Sequence, residues 1–201
     1  MNYNYIAPFY DSLSRICFLN RQQKAHRLIL PYLENNQKIL WLGGGSGWFL
    51  KEMDHLNLNL EIDYVEMSSV MMNKAKSLDL KHIKVNFYQE DLLNFILEKA
   101  QYDVIITAFI FDHFSEENCD RIFKKYDKVL KENGLWFYVD FAQDQNKIQR
   151  FLTSSMVLFF RLIANIKTND FPKIEYLFDS FYLVKEEFYF GNYIKSQVFR
   201  K

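Results

Sequence analysis

The stretch "KILWLGGGSGWFL", Lys38 to Leu50, decides how the chain is read. A short apolar run stops at glycines, and a helix is expected from about Gly47 onward. A tight turn between a buried strand and a helix brings backbone N–H groups close to a ligand. Glycine serves there where a side chain would block the approach or φ must be positive. The glycines at 43, 45 and 47 give G-x-G-x-G. The longer dinucleotide fingerprint needs glycine at 48, where Trp48 stands, and no Gly-Lys-Ser/Thr follows to make a Walker-type loop. A bulky indole at that point argues against a closely held pyrophosphate.

Outward from this turn, strands and helices alternate. Upstream, Ala25, Leu28, Ile29, Tyr32 and Leu33 recur at helical spacing and predict an amphipathic helix over 20–34, with Pro31 weakening its last turns. Downstream, "LEIDYVE" reads as a strand, "SSVMMNKAKSL" as a helix, "IKVNFYQ" as the third strand and "LLNFILEKA" as a short helix. "YDVIITAFI" is the fourth strand, rich in β-branched residues. Ser115 reads as the N-cap of a helix over "EENCDRIFKKYDKVLKE", with Gly134 as its left-handed C-cap, and "LWFYVDF" as strand five. Such alternation predicts parallel pairing in an α/β domain covered on both faces, a three-layer Rossmann-like sandwich. The last third breaks the rhythm. Residues 143–180 read as mostly helical, with Pro172 marking a new helix start after Asp170. "FYLVKEEFYF" and "YIKSQVFRK" then read as two strands joined at Gly191-Asn192. An ordinary dinucleotide-binding domain does not need that antiparallel ending.

A length of 201 residues, nearly half of them hydrophobic, predicts one globular domain over 1–201. Within it, an N-terminal helical segment is expected over about 1–36 and a helical cover over about 143–180. Lysine and arginine number 25 against 25 aspartates and glutamates, so no general electrostatic pull toward nucleic acid exists. The cysteines, Cys17 and Cys119, have neither metal-ligand spacing nor a disulfide framework, and a reducing compartment fits them. The N-terminal "MNYNYIAPFYDS" lacks a basic n-region and a long apolar run. The apolar "FLTSSMVLFFRLIANI" is interrupted by Arg161. The expectation is a cytoplasmic protein with no membrane span and no metal.

Two acids follow the turn at telling intervals. Glu66 ends the second strand about 20 residues on, where an acid grips ribose hydroxyls in this kind of fold, and its two acceptor oxygens suit two hydroxyls. Asp91, in "YQEDLL", lies just beyond the third strand, facing the crevice at the carboxyl ends of the strands where open α/β sheets bind ligands.

These residues together resemble the class I S-adenosylmethionine-dependent methyltransferases, whose seven-stranded, mostly parallel sheet ends in an antiparallel C-terminal hairpin. The resemblance covers about Tyr5 to Lys201. It implies that Gly43, Gly45 and Gly47 hold the methionine part of S-adenosylmethionine, that Glu66 binds the ribose, and that Met67 lies against adenine. Asp91 would bind the adenine amino group, helped by the backbone of Leu92, and Ala108 would line the cofactor at the end of strand four. "APFYDSLSR", residues 7–15, resembles the N-terminal segment of ubiquinone/menaquinone-biosynthesis-type methyltransferases and would place Tyr10 over the cofactor. An aromatic face beside a sulfonium is also favourable physically. The departure is Trp41, where the family commonly has an acid for the cofactor's ammonium group. Loss of that charge-assisted contact costs about 1.5–3 kcal/mol, roughly tenfold to a hundredfold in affinity, without disabling the chemistry. Asp11 is one candidate replacement.

Methyl transfer asks the protein mainly to align reactants and exclude water, so the acceptor half is written more faintly. The end of strand four, "TAFIFDHFS", should face the methyl group, with Asp112 and His113 as candidate catalytic residues. A histidine of unperturbed pKa about 6.5 could take a proton from a hydroxyl or phenol. Asp140, ending strand five, is a secondary candidate. The segment lacks the Asn/Asp-Pro-Pro-aromatic signature of enzymes methylating nucleobase or glutamine amides. The residues 150–166, "RFLTSSMVLFFRLIANI", either wall an apolar pocket or pack on the core. The expected acceptor is a small molecule of apolar or aromatic character. Two further readings stand beside this one: a regulatory protein of the same fold without turnover, motivated by Trp41, and a nicotinamide-dependent oxidoreductase, disfavoured by Trp48 and the hairpin.

Overall fold

The computed structural model describes residues 21–97, 101–142 and 172–201. Its centre is the run predicted from the opening stretch. β1 (Lys38–Leu42) pairs in parallel with β2 (Leu60–Val65) on one side and β4 (Tyr102–Ala108) on the other. β3 (Ile83–Tyr88) extends the sheet beyond β2, and β5 (Leu130–Phe141) beyond β4, both in parallel. The expected antiparallel C-terminal hairpin then closes the sheet. β7 (Ile194–Arg200) lies antiparallel between β5 and β6 (Tyr182–Tyr189), giving the seven-stranded order β3-β2-β1-β4-β5-β7-β6.

Alternation along the central strands divides the core into two layers. Ile39 and Trp41 of β1, with Phe137, Val139 and Phe141 of β5, join one apolar cluster. That face is covered by α1 (Arg21–His26), α2 (Trp48–Asp54) and α3 (Ser69–Lys76). Leu40 and Leu42, with Trp136 and Tyr138, join the other, which packs under α4 (Glu116–Asp127). A period of two that buries both faces is what a parallel sheet clothed by helices requires. Ser115 caps α4 as expected, its hydroxyl accepting from the Asn118 N–H at 3.4 Å.

Four local expectations are corrected. The helix over 20–34 is α-helical only to His26; Arg27–Tyr32 is a 3-10 helix containing Pro31, while Ala25, Leu28, Ile29 and Leu33 are buried as predicted. "LLNFILEKA" forms no helix through Leu97. Its carbonyls bond across the molecule instead: Leu92 O accepts from Lys125 Nζ at 3.0 Å and Tyr126 Oη at 2.8 Å, and Leu93 O from Lys125 Nζ at 3.1 Å. Gly134 is not a helix cap. α4 ends at Asp127 because the Tyr102 N–H takes the Val129 carbonyl at 2.8 Å and draws the chain into β5, and the left-handed residue is Asn133, φ 63°. Pro172 starts no helix; the next element is a single 3-10 turn, Glu175–Phe178. The remainder of the expected cover, residues 143–171, lies outside the described residues, as do Tyr10, Asp11 and Cys17.

Among the described residues, no helix is long and apolar enough to cross a membrane.

Candidate functional site

The glycine turn is pressed onto its neighbours from three sides. The Gly43 and Gly44 N–H groups both donate to the Val65 carbonyl, at 2.8 and 3.2 Å, which ties the turn to the end of β2. A Cβ on Gly43 would meet Ile110 Cδ1 at 2.5 Å, so the chain leaving β4 lies directly against the turn. The Tyr64 ring fills the space beneath Gly44, and its hydroxyl donates to the Gly45 carbonyl at 2.9 Å. Gly45 differs from these. Its φ is +66°, and a Cβ there would have nothing within 4 Å, so this side of the turn faces open space. Gly47, φ 76°, sits at the N-cap of α2 against Ala75.

Glu66 is held against the open side. Its Oε2 accepts from the Gly45 N–H at 3.0 Å and its Oε1 from the Ser68 N–H at 2.7 Å. A carboxylate offers about four acceptor positions, so each oxygen keeps capacity for a further donor. Burial pushes its pKa up, while these N–H groups and His113 oppose that shift. Met67, half-buried, follows it. Asp91 Oδ1 accepts from the Leu93 N–H at 2.9 Å, closing a turn that continues through Asp91 O to the Asn94 and Phe95 N–H groups. Leu92 is buried by side chain and anchored through its carbonyl. Ala108, the last residue of β4, is buried in the layer that holds Trp41.

Beyond Ala108 the chain is bent by Phe109, a non-glycine residue at φ 53° whose N–H bonds the Val139 carbonyl at 2.8 Å. Such a backbone state costs roughly 1–3 kcal/mol. It turns Ile110 onto Gly43, sinks Phe111 into the core, and presents Asp112 and His113 on a 3-10 turn, Phe111–His113. His113 Nε2 lies 3.6 Å from Asp112 Oδ1. Asp140, near the end of neighbouring β5, is 3% exposed, and its Oδ1 accepts from the Phe141 N–H at 2.9 Å. Burial drives both carboxyl pKa values up, and the Asp112 charge adds to the rise at Asp140. Burial pushes His113 down, against the pull of Asp140 and Glu66. The imidazole therefore lies within the fields of both Glu66 and Asp140.

The three glycines, Glu66, Met67, Asp91 and Leu92 thus share the carboxyl edge of the sheet with Asp112, His113 and Asp140. Sequence reasoning missed Tyr64, Ile110 and the pair Lys125–Tyr126, which shape the turn and anchor Leu92. The one signal for Tyr64 was its place just before a strand-end acid; nothing local marked Lys125 or Tyr126.

Trp41 is not at the site surface. It is 2% exposed, edge-on to Phe49 and Tyr64 at ring distances of 5.8 and 5.4 Å, and its indole N–H has no hydrogen-bond partner among the described residues.

Comparison with known proteins agrees with this fold. Residues 39–134, from β1 through the acid pair's first member to the start of β5, match the family model described as a methyltransferase domain. That segment is a methyltransferase domain of the class I S-adenosylmethionine-dependent kind. The malonyl-[acyl-carrier protein] O-methyltransferase of Halalkalibacterium halodurans is 27% identical over 148 residues, 69% of this chain and 52% of the relative. The chain spans about half the length of the curated relatives it matches. Among solved structures, the PH0226 protein of Pyrococcus horikoshii shares the fold with a TM-score of 0.63 at 21% identity, covering 90% of this chain and 89% of that one. The N-methyltransferase NodS of Bradyrhizobium japonicum, in complex with S-adenosyl-L-homocysteine, has a TM-score of 0.61 at 13% identity, covering 90% and 86%. The particular ubiquinone/menaquinone-type subgroup is not singled out by these matches.

Proposed function

We propose that this chain transfers a methyl group from S-adenosylmethionine to a small-molecule acceptor by direct displacement. The observation that carries the reading is the open face of Gly45 with the Glu66 carboxylate fixed beside it. The residues present suit the cofactor. Glu66 retains acceptor capacity for ribose hydroxyls, Asp91 keeps Oδ2 clear of its own turn, and the Leu92 N–H makes no hydrogen bond among the described residues. When bound, the cofactor supplies a methyl group already activated by a sulfonium. Gly43, Gly45 and Gly47 would hold its methionine part, Met67 would lie against adenine, Ala108 would back the site, and Tyr10 would lie over it. The chain's task is then to orient the acceptor and keep water out. His113, neutral near pH 7 because burial lowers its pKa, would hold or take an acceptor proton beside Asp112, whose Oδ1 lies 3.6 Å from the imidazole Nε2 without a hydrogen bond.

Trp41 supports a second reading, a cofactor-binding protein without turnover. Its side chain occupies the core where the family commonly places an acid, so that contact with the cofactor's ammonium group is lost. Titration calorimetry with S-adenosylmethionine, S-adenosylhomocysteine and NADH separates the readings. The first two should bind and NADH should not; no sulfur compound binding at millimolar concentration overturns the proposal. Binding without transfer across an acceptor panel favours the second reading. Glu66→Ala should weaken S-adenosylhomocysteine binding more than tenfold, and unchanged affinity would sink the ribose assignment.

A further inference from the structure

The molecule treats its buried acids in two ways. Asp54, 6% exposed, accepts from the Lys81, His82 and Ile83 N–H groups at 2.7–3.1 Å. Asp63, 4% exposed, is bonded by Tyr102 Oη at 2.6 Å and Asn86 Nδ2 at 2.7 Å, with Lys38 Nζ at 3.6 Å. Both lie away from the ligand edge and are structurally complete. Asp112 and Asp140 are not. The Asp112 side chain is 10% exposed and Asp140 is 3% exposed, yet Asp112 Oδ1 and Asp140 Oδ2 have no hydrogen-bond donor among the described residues. Native proteins leave few buried polar atoms in that condition, because each costs about 1–3 kcal/mol.

Among the described residues, no lysine or arginine pairs with either carboxyl; His113 is the group whose charge would favour the ionised form of Asp140. From β2, Glu66 faces His113; from β5 come Asp140 and Tyr138; from α4, Cys119 and Glu116; from the 3-10 turn, Glu175. The nearby cation, Lys195 of β7, is bonded to Glu175 at 3.0 Å. Cys119 and Tyr138 are both held protonated, chiefly by burial and then by the charge of Asp140.

We infer that the Asp112–Asp140 pair is the seat of the acceptor's polar head and that it selects a protonated amine over an anion. An ammonium brings three donors and a positive charge to two carboxyl oxygens that lack both. A carboxylate would bring no donor to the unmet oxygens, and its charge would oppose the ionisation of the pair that an ammonium favours. Specificity here comes from the attraction offered to one class and the repulsion imposed on the other. The inference rests on the methyl-transfer reading for the word acceptor, but the binding itself can be measured without turnover.

The probes are benzylamine, benzyl alcohol and benzoate, which share a ring and differ in charge. Binding is followed by calorimetry and by the His113 imidazole resonances, with and without S-adenosylhomocysteine. Benzylamine should bind at least tenfold more tightly than benzoate. Its binding should release protons from the acid pair, read as a dependence of the apparent enthalpy on buffer ionisation. Asp140→Asn should weaken benzylamine at least tenfold while raising the melting temperature, since it removes a buried, under-bonded acid; a purely structural acid would lower that temperature instead. Asp112→Asn provides the second variant. Benzoate binding as well as benzylamine, or benzylamine affinity unchanged in both variants, overturns the inference. Failure of S-adenosylhomocysteine to bind while benzylamine still binds would sink the methyl-transfer reading and leave the amine site standing.

Discussion

Trp41 and Trp136 place an indole in each layer of the core, and their N–H groups have opposite fates. Trp136 Nε1 donates to Thr107 Oγ1 at 2.9 Å, whereas Trp41 Nε1 has no partner among the described residues. Placing at position 41 the acid that the resemblance implies would therefore not simply restore a contact. Trp41→Asp would remove a ring packed on Phe49 and Tyr64 and bury a carboxylate among apolar side chains. Losing a large core aromatic costs about 3–5 kcal/mol before the charge is counted. The variant should show a lower urea midpoint by that order of stability, without a gain in S-adenosylhomocysteine affinity. A midpoint equal to the parent's would mean that the Trp41 ring contributes little to the core. Position 41 was legible in the sequence as an anomaly, but its consequence was not, since a side chain's burial depends on neighbours such as Phe49 and Tyr64 that meet it only in the fold.

At the scale of elements, what positions the site is a set of cross-links between helix ends and strand ends. The Asp54 carboxylate at the end of α2 collects the N–H groups of Lys81, His82 and Ile83 and so fixes where β3 begins. Burial raises its pKa, but the three N–H groups outweigh that and hold it below the ordinary carboxylate value. Its contribution is therefore present above the unfolded pKa and lost as pH falls through the lower folded value. Asp54→Ala strands three donors and should cost about 3 kcal/mol in denaturant unfolding at neutral pH; a loss below 1 kcal/mol would show that water replaces the carboxylate freely. The strands themselves were readable because each is a short apolar run ending in a polar or glycine residue, and β1 falls where "KILWL" does. The segment after Asp91 was misread for a physical reason. Its apolar spacing is helical, but Lys125 and Tyr126, distant in sequence, take the carbonyls that a helix would have used internally. The glycine turn, Glu66 and Asp91 were legible as a site because their spacing follows from the strand ends. The unmet oxygens of Asp112 and Asp140 were not, since only packing decides which acids find donors.

Across the whole molecule, His26 joins the N-terminal helix to the ligand edge. It is 7% exposed, bonds Gln22 O through Nδ1 at 2.8 Å, and packs against Trp48, Phe49 and Phe109. Burial lowers its pKa to about 4, although Gln22 and Glu52 favour the charged form. The unfolded chain then binds a proton between about pH 6.5 and 4 that the folded chain refuses, so stability falls as pH drops through that window. The span corresponds to about 3 kcal/mol. Asp112 and Asp140, with raised values, act in the opposite sense, losing stability as pH rises through their folded values, so the parent's net curve mixes these contributions. The difference between parent and His26→Gln isolates the histidine. The parent should lose more melting temperature than the variant between pH 7 and 4, and parallel curves would refute the assignment. The strand order carries a separate consequence for how the chain reaches this state. The outer edge of β5 is closed by β7, and β7 in turn by β6, which precedes it in the chain. While the polypeptide emerges from the ribosome, β5 must wait with a bare row of backbone groups until the hairpin can insert as one unit. That interval, rather than the finished fold, is when this molecule is most open to pairing with the wrong partner.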